Sequence, residues 1–247
     1  MNEVEEIVRR QDRDRYLSTF FAPDAKRPHI LALYAFNAEI LRVRDTVSET
    51  GLGLIRLQWW RDTIAGIYAG NATPAFSVAE ALARAIAEGQ LPQQALLDLV
   101  TAHEFDLFHD RMPDLTALEA YMGEAYSRLI MMAAMILDRD AATKASECAG
   151  LAGVAQGLAL VMCDPRHRDP FLPDGMTVAE AVGHAENRLA QAMTLRPGLP
   201  RSVLPAFLPL SLTGLYLKKI AAAPDRPLAV SPLRRQLTMW RTARRWG

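Results

Sequence analysis

Asp45 and Glu49 stand four residues apart, the spacing that puts two side chains on one face of a helix. Paired carboxylates of this kind suit magnesium, a hard cation that takes oxygen ligands and keeps several of its waters. Glu39 adds acidic character upstream, whereas Arg42 and Arg44 oppose a cation there. The same residues also read as ion pairs on a polar helix face, with Asp45 and Glu49 answering Arg42 or Arg44, and the two arginines favour that reading. A second group, Arg166, His167 and Arg168 beside Asp169, has the guanidinium chemistry that phosphate recognition uses. Its alternative is a solvated polar loop. His103, Glu104, Asp106 and His109 have the composition of a metal set, but His103 and His109 are six residues apart and cannot share a helix face. The run from Ile130 to Met135, with methionines at 131, 132 and 135, would make an adaptable cavity wall or ordinary core filling.

Helices must position these groups. Apolar residues recur at helical spacing from Ile30 to about Val47, after a turn bracketed by Pro23 and Pro28. A break at Gly51-Leu52-Gly53 precedes a second helix, Leu54–Tyr68, which stops at Gly70-Asn71. Further helices are expected over Phe76–Glu88, Pro92–Phe108, Leu115–Leu137, Ala141–Met162, Val178–Met193, Pro200–Ala222 and Pro232–Arg245, with a loop through Pro165 and Pro170–Asp174. Along the last helix Leu233, Leu237 and Trp240 share a face, and Arg234, Arg235, Arg241, Arg244 and Arg245 crowd the rest. That pattern suits an anionic membrane surface or a partner protein, or else a terminal helix docked on the core with its arginine stems snorkelling.

The bulk composition agrees with an all-α fold in one domain over residues 1–247. Half of the 247 residues are apolar, Ala and Leu abound, and β-branched and aromatic residues are sparse. Lys plus Arg and Asp plus Glu number 28 each, which removes the global field that nucleic-acid binding would need. Cys148 and Cys163 form no CxxC pair, so a reducing compartment is expected. The charged stretch from Met1 to Arg15 lacks the apolar core of a secretory signal. The apolar runs 129–137, 151–163 and 203–217 fall short of a bilayer span and read as core helices.

Several ordered cues resemble the squalene/phytoene synthase family. Ser18 is followed by Pro23-Asp24-Ala25-Lys26-Arg27 and then by Leu33-Tyr34-Ala35-Phe36; the likeness continues through Leu57–Arg61, Glu104–Asp106, Leu118–Tyr121 and Gly153–Asp164 to Phe171-Leu172-Pro173. The resemblance implies an isoprenoid-synthase-like bundle around a central cavity, with two aspartate-rich helices facing each other and holding magnesium against a prenyl diphosphate. It also makes Ser18, Tyr34, Arg42, Arg166 and Arg168 the expected substrate contacts. Asp45, Glu49 and Asp164 are the catalytic candidates, and Asp169 joins those three as a candidate metal ligand. Both motifs are eroded. The expected adjacent aspartates of the first fall on Leu41 and Arg42, and in the second the polar positions fall on Gly157, Leu160 and Cys163, with Arg168 in place of the last aspartate.

One branch of the family, the mitochondrial complex I assembly factors and their bacterial relatives, departs from the enzymes in the same way. This sequence resembles that branch at Arg44–Glu49, Gly53–Trp60, Ala155-Gln156-Gly157 and Trp240-Arg241. The resemblance implies a protein without efficient prenyl transfer that works in assembly or maturation of a respiratory complex. A partner subunit or assembly factor, peripheral contact at the inner face of the membrane and a cytoplasmic location are the corresponding expectations. Two alternatives stand beside it: a magnesium-dependent prenyl transferase joining two prenyl diphosphates head to head, and a non-catalytic module for an isoprenoid or lipid-like ligand.

Overall fold

A computed structural model describes residues 2–47, 49–108 and 110–246, and within them the chain forms fourteen α-helices and no strand. The first half comprises α1 (Glu3–Gln11), α2 (Arg13–Ser18), α3 (Arg27–Thr46), α4 (Thr50–Tyr68), α5 (Ser77–Gly89), α6 (Gln93–Ala102), α7 (Leu115–Met122) and α8 (Arg128–Leu137). The second comprises α9 (Arg139–Ala142), α10 (Ser146–Val161), α11 (Val178–Leu195), α12 (Leu204–Phe207), α13 (Leu210–Ala222) and α14 (Pro232–Trp246).

Local chemistry marks the helix ends. Asn2, Asp12, Asp114 and Asp138 each accept a backbone N–H in the first turn of the helix they precede. Thr177 and Glu180 close a capping box at the start of α11. Pro28 opens α3, where its missing N–H costs nothing, and Gln90 ends α5 in the left-handed region at φ 46°. The expected break at Gly51–Gly53 is instead the first turn of α4. Gly53 faces Leu107, and a Cβ there would come within 2.7 Å of the leucine methyl carbon, so this glycine serves close packing.

The apolar interior has two clusters. In one, Leu33, Phe36 and Ile40 of α3 pack with Val78 and Leu82 of α5 and with Leu129, Ala133 and Ile136 of α8. In the other, Leu158 and Met162 pack with Leu118 and Met122 of α7, Val182 and Ala185 of α11, and Leu212 and Leu217 of α13. The helical run expected over Leu115–Leu137 is present with a π-helical turn, Gly123–Ser127, at its centre. Helix α10 lies close against that turn through two glycines one turn apart. A Cβ on Gly153 would fall 2.4 Å from Ser127 Cα, and one on Gly157 would fall 2.6 Å from Tyr126 Cδ2. Met132 is buried and Met131 and Met135 pack against the first cluster, so the methionine run fills core. The helical stretch Arg201–Ala222 is long and apolar enough to cross a bilayer, yet 67% of its most apolar window is buried in this fold.

Helix α14 is docked. Met239 is buried, and Arg235 Nη1 donates to Asp14 Oδ1 of α2 at 2.7 Å, while the Tyr216 hydroxyl of α13 donates to Asp14 Oδ2 at 2.5 Å. Leu233, Leu237 and Trp240 remain exposed on its opposite face.

Candidate functional site

At one end of the bundle the last turn of α3 brings in Arg44 and Asp45, the segment after α10 brings in Asp164, and the turn Phe105–Leu107 brings in Asp106. They border a cleft of 550 Å³ that leads into a recess of 100 Å³, the two sharing Arg44, Asp106, His167 and Phe171. Phe105, Tyr121 and Phe171 form an aromatic wall, with ring centroids 5.3–5.7 Å apart. A hydrogen bond of 2.8 Å from the Met112 N–H to the Pro170 carbonyl ties the loop carrying Phe171 to the segment before α7. Asp45 thus borders the cleft and Asp164 its recess, so the ends of the two motif-bearing helices do meet.

The carboxylates of this cleft are already engaged by the chain itself. Asp164 accepts from Arg166 Nη2 at 2.6 Å and from its Nε and backbone N–H at 3.0 Å, with His167 Nδ1 at 3.4 Å. The Arg166 hydrogen bonds hold the Asp164 carboxyl far below the usual carboxylate range. Asp106 accepts from the Tyr121 hydroxyl at 2.7 Å and lies 2.7 Å from His103 Nδ1. Burial, reinforced by Asp106, pushes the Tyr121 hydroxyl well above its ordinary range. Asp45 has Arg44 Nε at 3.3 Å. Burial disfavours the Arg44 charge, but Asp106 and Asp45 more than offset it, so the guanidinium stays firmly protonated in the space between the two motifs.

Magnesium bound to a diphosphate needs several free carboxylate oxygens converging on one point. The residues present do not fit that requirement. Helix α3 ends at Thr46 and Val47 is extended, so Asp45 and Glu49 do not share a helix face; Glu49 instead precedes the first turn of α4. Asp169 is exposed at the start of a 3-10 turn and does not border the cleft. Among the described residues no three His, Cys, Asp or Glu side chains are placed to share a metal ion. The set built on His103 resolves into a buried hydrogen-bonded group with Asp106 and Tyr121, Glu104 pairs with Arg61, and His109 lies outside the described residues.

The expected substrate contacts are likewise dispersed. Arg42 points into a separate groove with Arg56, Trp59 and Trp60, and lies 3.6 Å from Glu39. Arg168 anchors the segment after α13, donating to the Pro224 carbonyl and to Asp225. Arg166 does reach the cleft, as the partner of Asp164. Ser18 and Tyr34 are buried beside Arg15, away from the cleft. Arg15, itself buried, donates to Asp12 Oδ2 at 2.5 Å and to Gln156 Oε1 at 3.3 Å, and its guanidinium lies 5.8 Å from the Tyr34 ring centroid. Burial pushes the Tyr34 hydroxyl up to about 12, against the opposing pull of Arg15 and Ser18. Nothing in the local pattern around Arg15 marks it as interior. The Asp106–Tyr121 pair lay within two segments of family likeness, but its mutual contact is visible only in three dimensions.

The family model described as squalene/phytoene synthase matches residues 8–166. Assembly factor 6 of NADH dehydrogenase (ubiquinone) complex I from Homo sapiens is 29% identical over 242 residues, which cover 87% of this chain and 72% of the relative; the Bos taurus protein is 28% identical over the same span. The fold is that of squalene synthase HpnC from Alicyclobacillus acidocaldarius, with a TM-score of 0.73 at 19% identity over 91% of this chain and 94% of that one. A dehydrosqualene synthase crystallised with ligand superposes with a TM-score of 0.77 at 16% identity, over 98% and 94% of the two chains.

Proposed function

The chain belongs to the squalene/phytoene synthase family, and we propose that it acts in the assembly of respiratory complex I rather than in prenyl transfer. The observation that carries this reading is the state of the cleft: Arg166 occupies Asp164, Tyr121 occupies Asp106, and Arg44 stands between the two motifs where cations would have to bind. Ionising a prenyl diphosphate requires the opposite arrangement, with bare carboxylates gathering divalent cations. The likeness to complex I assembly factor 6 at 28–29% identity supports the assembly role. A place at the cytoplasmic face of the membrane that holds the complex belongs to the same proposal.

Two measurements test it. Purified protein given farnesyl or geranylgeranyl diphosphate, magnesium and a reductant is expected to yield no condensed hydrocarbon, and cells lacking the gene are expected to hold less assembled complex I. Turnover in the ordinary enzyme range of about 1 s⁻¹ or more would restore the magnesium-dependent prenyl transferase, with Asp45 and Asp164 as its first candidates. One observation favours a second, compatible reading: the 550 Å³ cleft joins an aromatic wall to Arg44 and Arg166, a combination suited to an anionic amphiphile held without chemistry. Retention of a lipid-like phosphate by the native protein, lost in Arg44→Gln, would support it.

A further inference from the structure

Helix α14 has two working faces. The inner one docks through Met239, Arg235 and Trp246. The outer one presents Leu233 at 64%, Leu237 at 42% and Trp240 at 48% exposure. At 100° per residue Leu233, Leu237, Trp240 and Arg244 fall within one narrow arc, and Arg234, Arg241 and Arg245 follow along one edge of it. The helix holds five arginines and no Asp or Glu. Among the described residues Arg235 is the α14 arginine with an ion pair, and Arg244 lies with its guanidinium carbon 4.8 Å from the Trp240 ring centroid.

From this arrangement we infer that the outer face of α14 is a docking surface for an anionic lipid bilayer. Charge complementarity and amphipathicity together select that occupant. A chain with balanced charge overall concentrates unpaired guanidinium groups on one exposed helix, around an indole and two leucines. Indole rings settle at the boundary between headgroup and acyl chain, leucines enter just below it, and arginine stems snorkel along apolar surface while their heads meet lipid phosphate. An acidic protein would satisfy the arginines but would leave the Leu233–Leu237–Trp240 stripe in water. Docking through the inner face fixes the helix on the body of the protein, so the whole molecule would be carried flat against the bilayer. The inference is independent of the assembly role, because purified protein and lipid suffice to test it.

The test is sedimentation of the full chain with vesicles of phosphatidylcholine alone or of phosphatidylcholine with about one-third phosphatidylglycerol. The protein is expected to bind the anionic vesicles, to ignore the neutral ones, and to be released as salt rises, since the attraction decays within a Debye length of about 8–10 Å. Replacing three arginines in R241Q/R244Q/R245Q should weaken binding on the order of 100-fold, at about fivefold for each charge. The pair L237A/W240A should weaken it as well, and neither set should lower the unfolding temperature, because all five side chains are on the exposed face. As a control, I55A/W59A alters two exposed apolar residues of α4 and should leave binding unchanged. A native protein that ignores anionic vesicles, α14 variants that bind like the parent, or loss of binding confined to the α4 control would overturn the inference, and an acidic protein partner would then be the occupant to seek.

Discussion

Gly157 shows how one residue exchanges chemistry for packing. Where the family resemblance calls for a polar side chain, the missing Cβ lets Tyr126 and Met122 close on α10, and the Tyr126 ring takes space that a ligand chamber would need. The same contact makes the position intolerant. Gly157→Ala would put a methyl 2.5 Å from Met122 Sδ, which a flexible side chain can withdraw, and 2.6 Å from Cδ2 of the buried Tyr126 ring, which has less room to yield, so the expected loss is about 2 kcal/mol. Gly153→Ala meets the backbone of Ser127 at 2.4 Å, where no rotamer change relieves the clash, and should cost more, about 3 kcal/mol. Urea unfolding of the two variants checks the order as well as the size, and equal midpoints would contradict the packing described.

At the scale of elements, α7 is tied to α11 by one carboxylate. Glu119 lies 2.9 Å from His184 Nε2 and accepts from Arg188 Nε at 2.6 Å. Partial burial raises its pKa, but the hydrogen bonds from Arg188 and His184 prevail, and the net shift is downward. A depressed carboxylate contributes stability that is complete above its unfolded pKa near 4.3 and fades as pH falls through the lower folded value. Glu119→Gln should therefore cost about 1–2 kcal/mol at pH 7 and progressively less below pH 4, which thermal unfolding across that range would reveal. Elements were also where reading the sequence worked best and where its reach ended. The helical periods from Ile30 to Val47 and from Val178 to Met193 correspond to α3 and α11 within a few residues, because long runs with helical apolar spacing carry their own signal, aided in α11 by its capping box. Helices α1 and α2 went unrecognised, being short and charged, with Val4 and Val8 the buried apolar residues of α1. The Asp45–Glu49 pairing failed for a local reason, since periodicity extends a helix through its last apolar residue while the chain turns out at Val47. Arg15, Gln156 and the Asp106–Tyr121 pair were illegible because contacts between distant segments decide them.

Across the whole molecule, Asp14 joins three helices that are far apart in the chain. Burial raises its pKa, and the Tyr216 hydroxyl and the Arg235 charge restrain that rise. Burial also pushes the neighbouring Cys163 thiol up to about 12, which keeps it unreactive. Arg235→Gln would leave Asp14 a buried carboxylate with a weaker partner, at a cost of about 2 kcal/mol or about 4–8 °C in unfolding temperature. A group with a raised folded pKa is relieved of its charge as pH falls through that value, so the defect should shrink as acid protonates Asp14. A pH-independent defect would assign the loss to packing alone. The same lock has a consequence for biosynthesis. Tyr216 and Arg235 follow Asp14 by 202 and 221 positions. At about 5–20 residues per second, a ribosome takes about 10–40 s to deliver the partners that α2 requires. Throughout that interval Val4 and Val8 of α1 can already settle against α3 and α5, whereas Asp14 lacks both of its partners, so the maturation of α2 must await near-complete translation, and a chaperone that shelters early helical segments would have its longest engagement there.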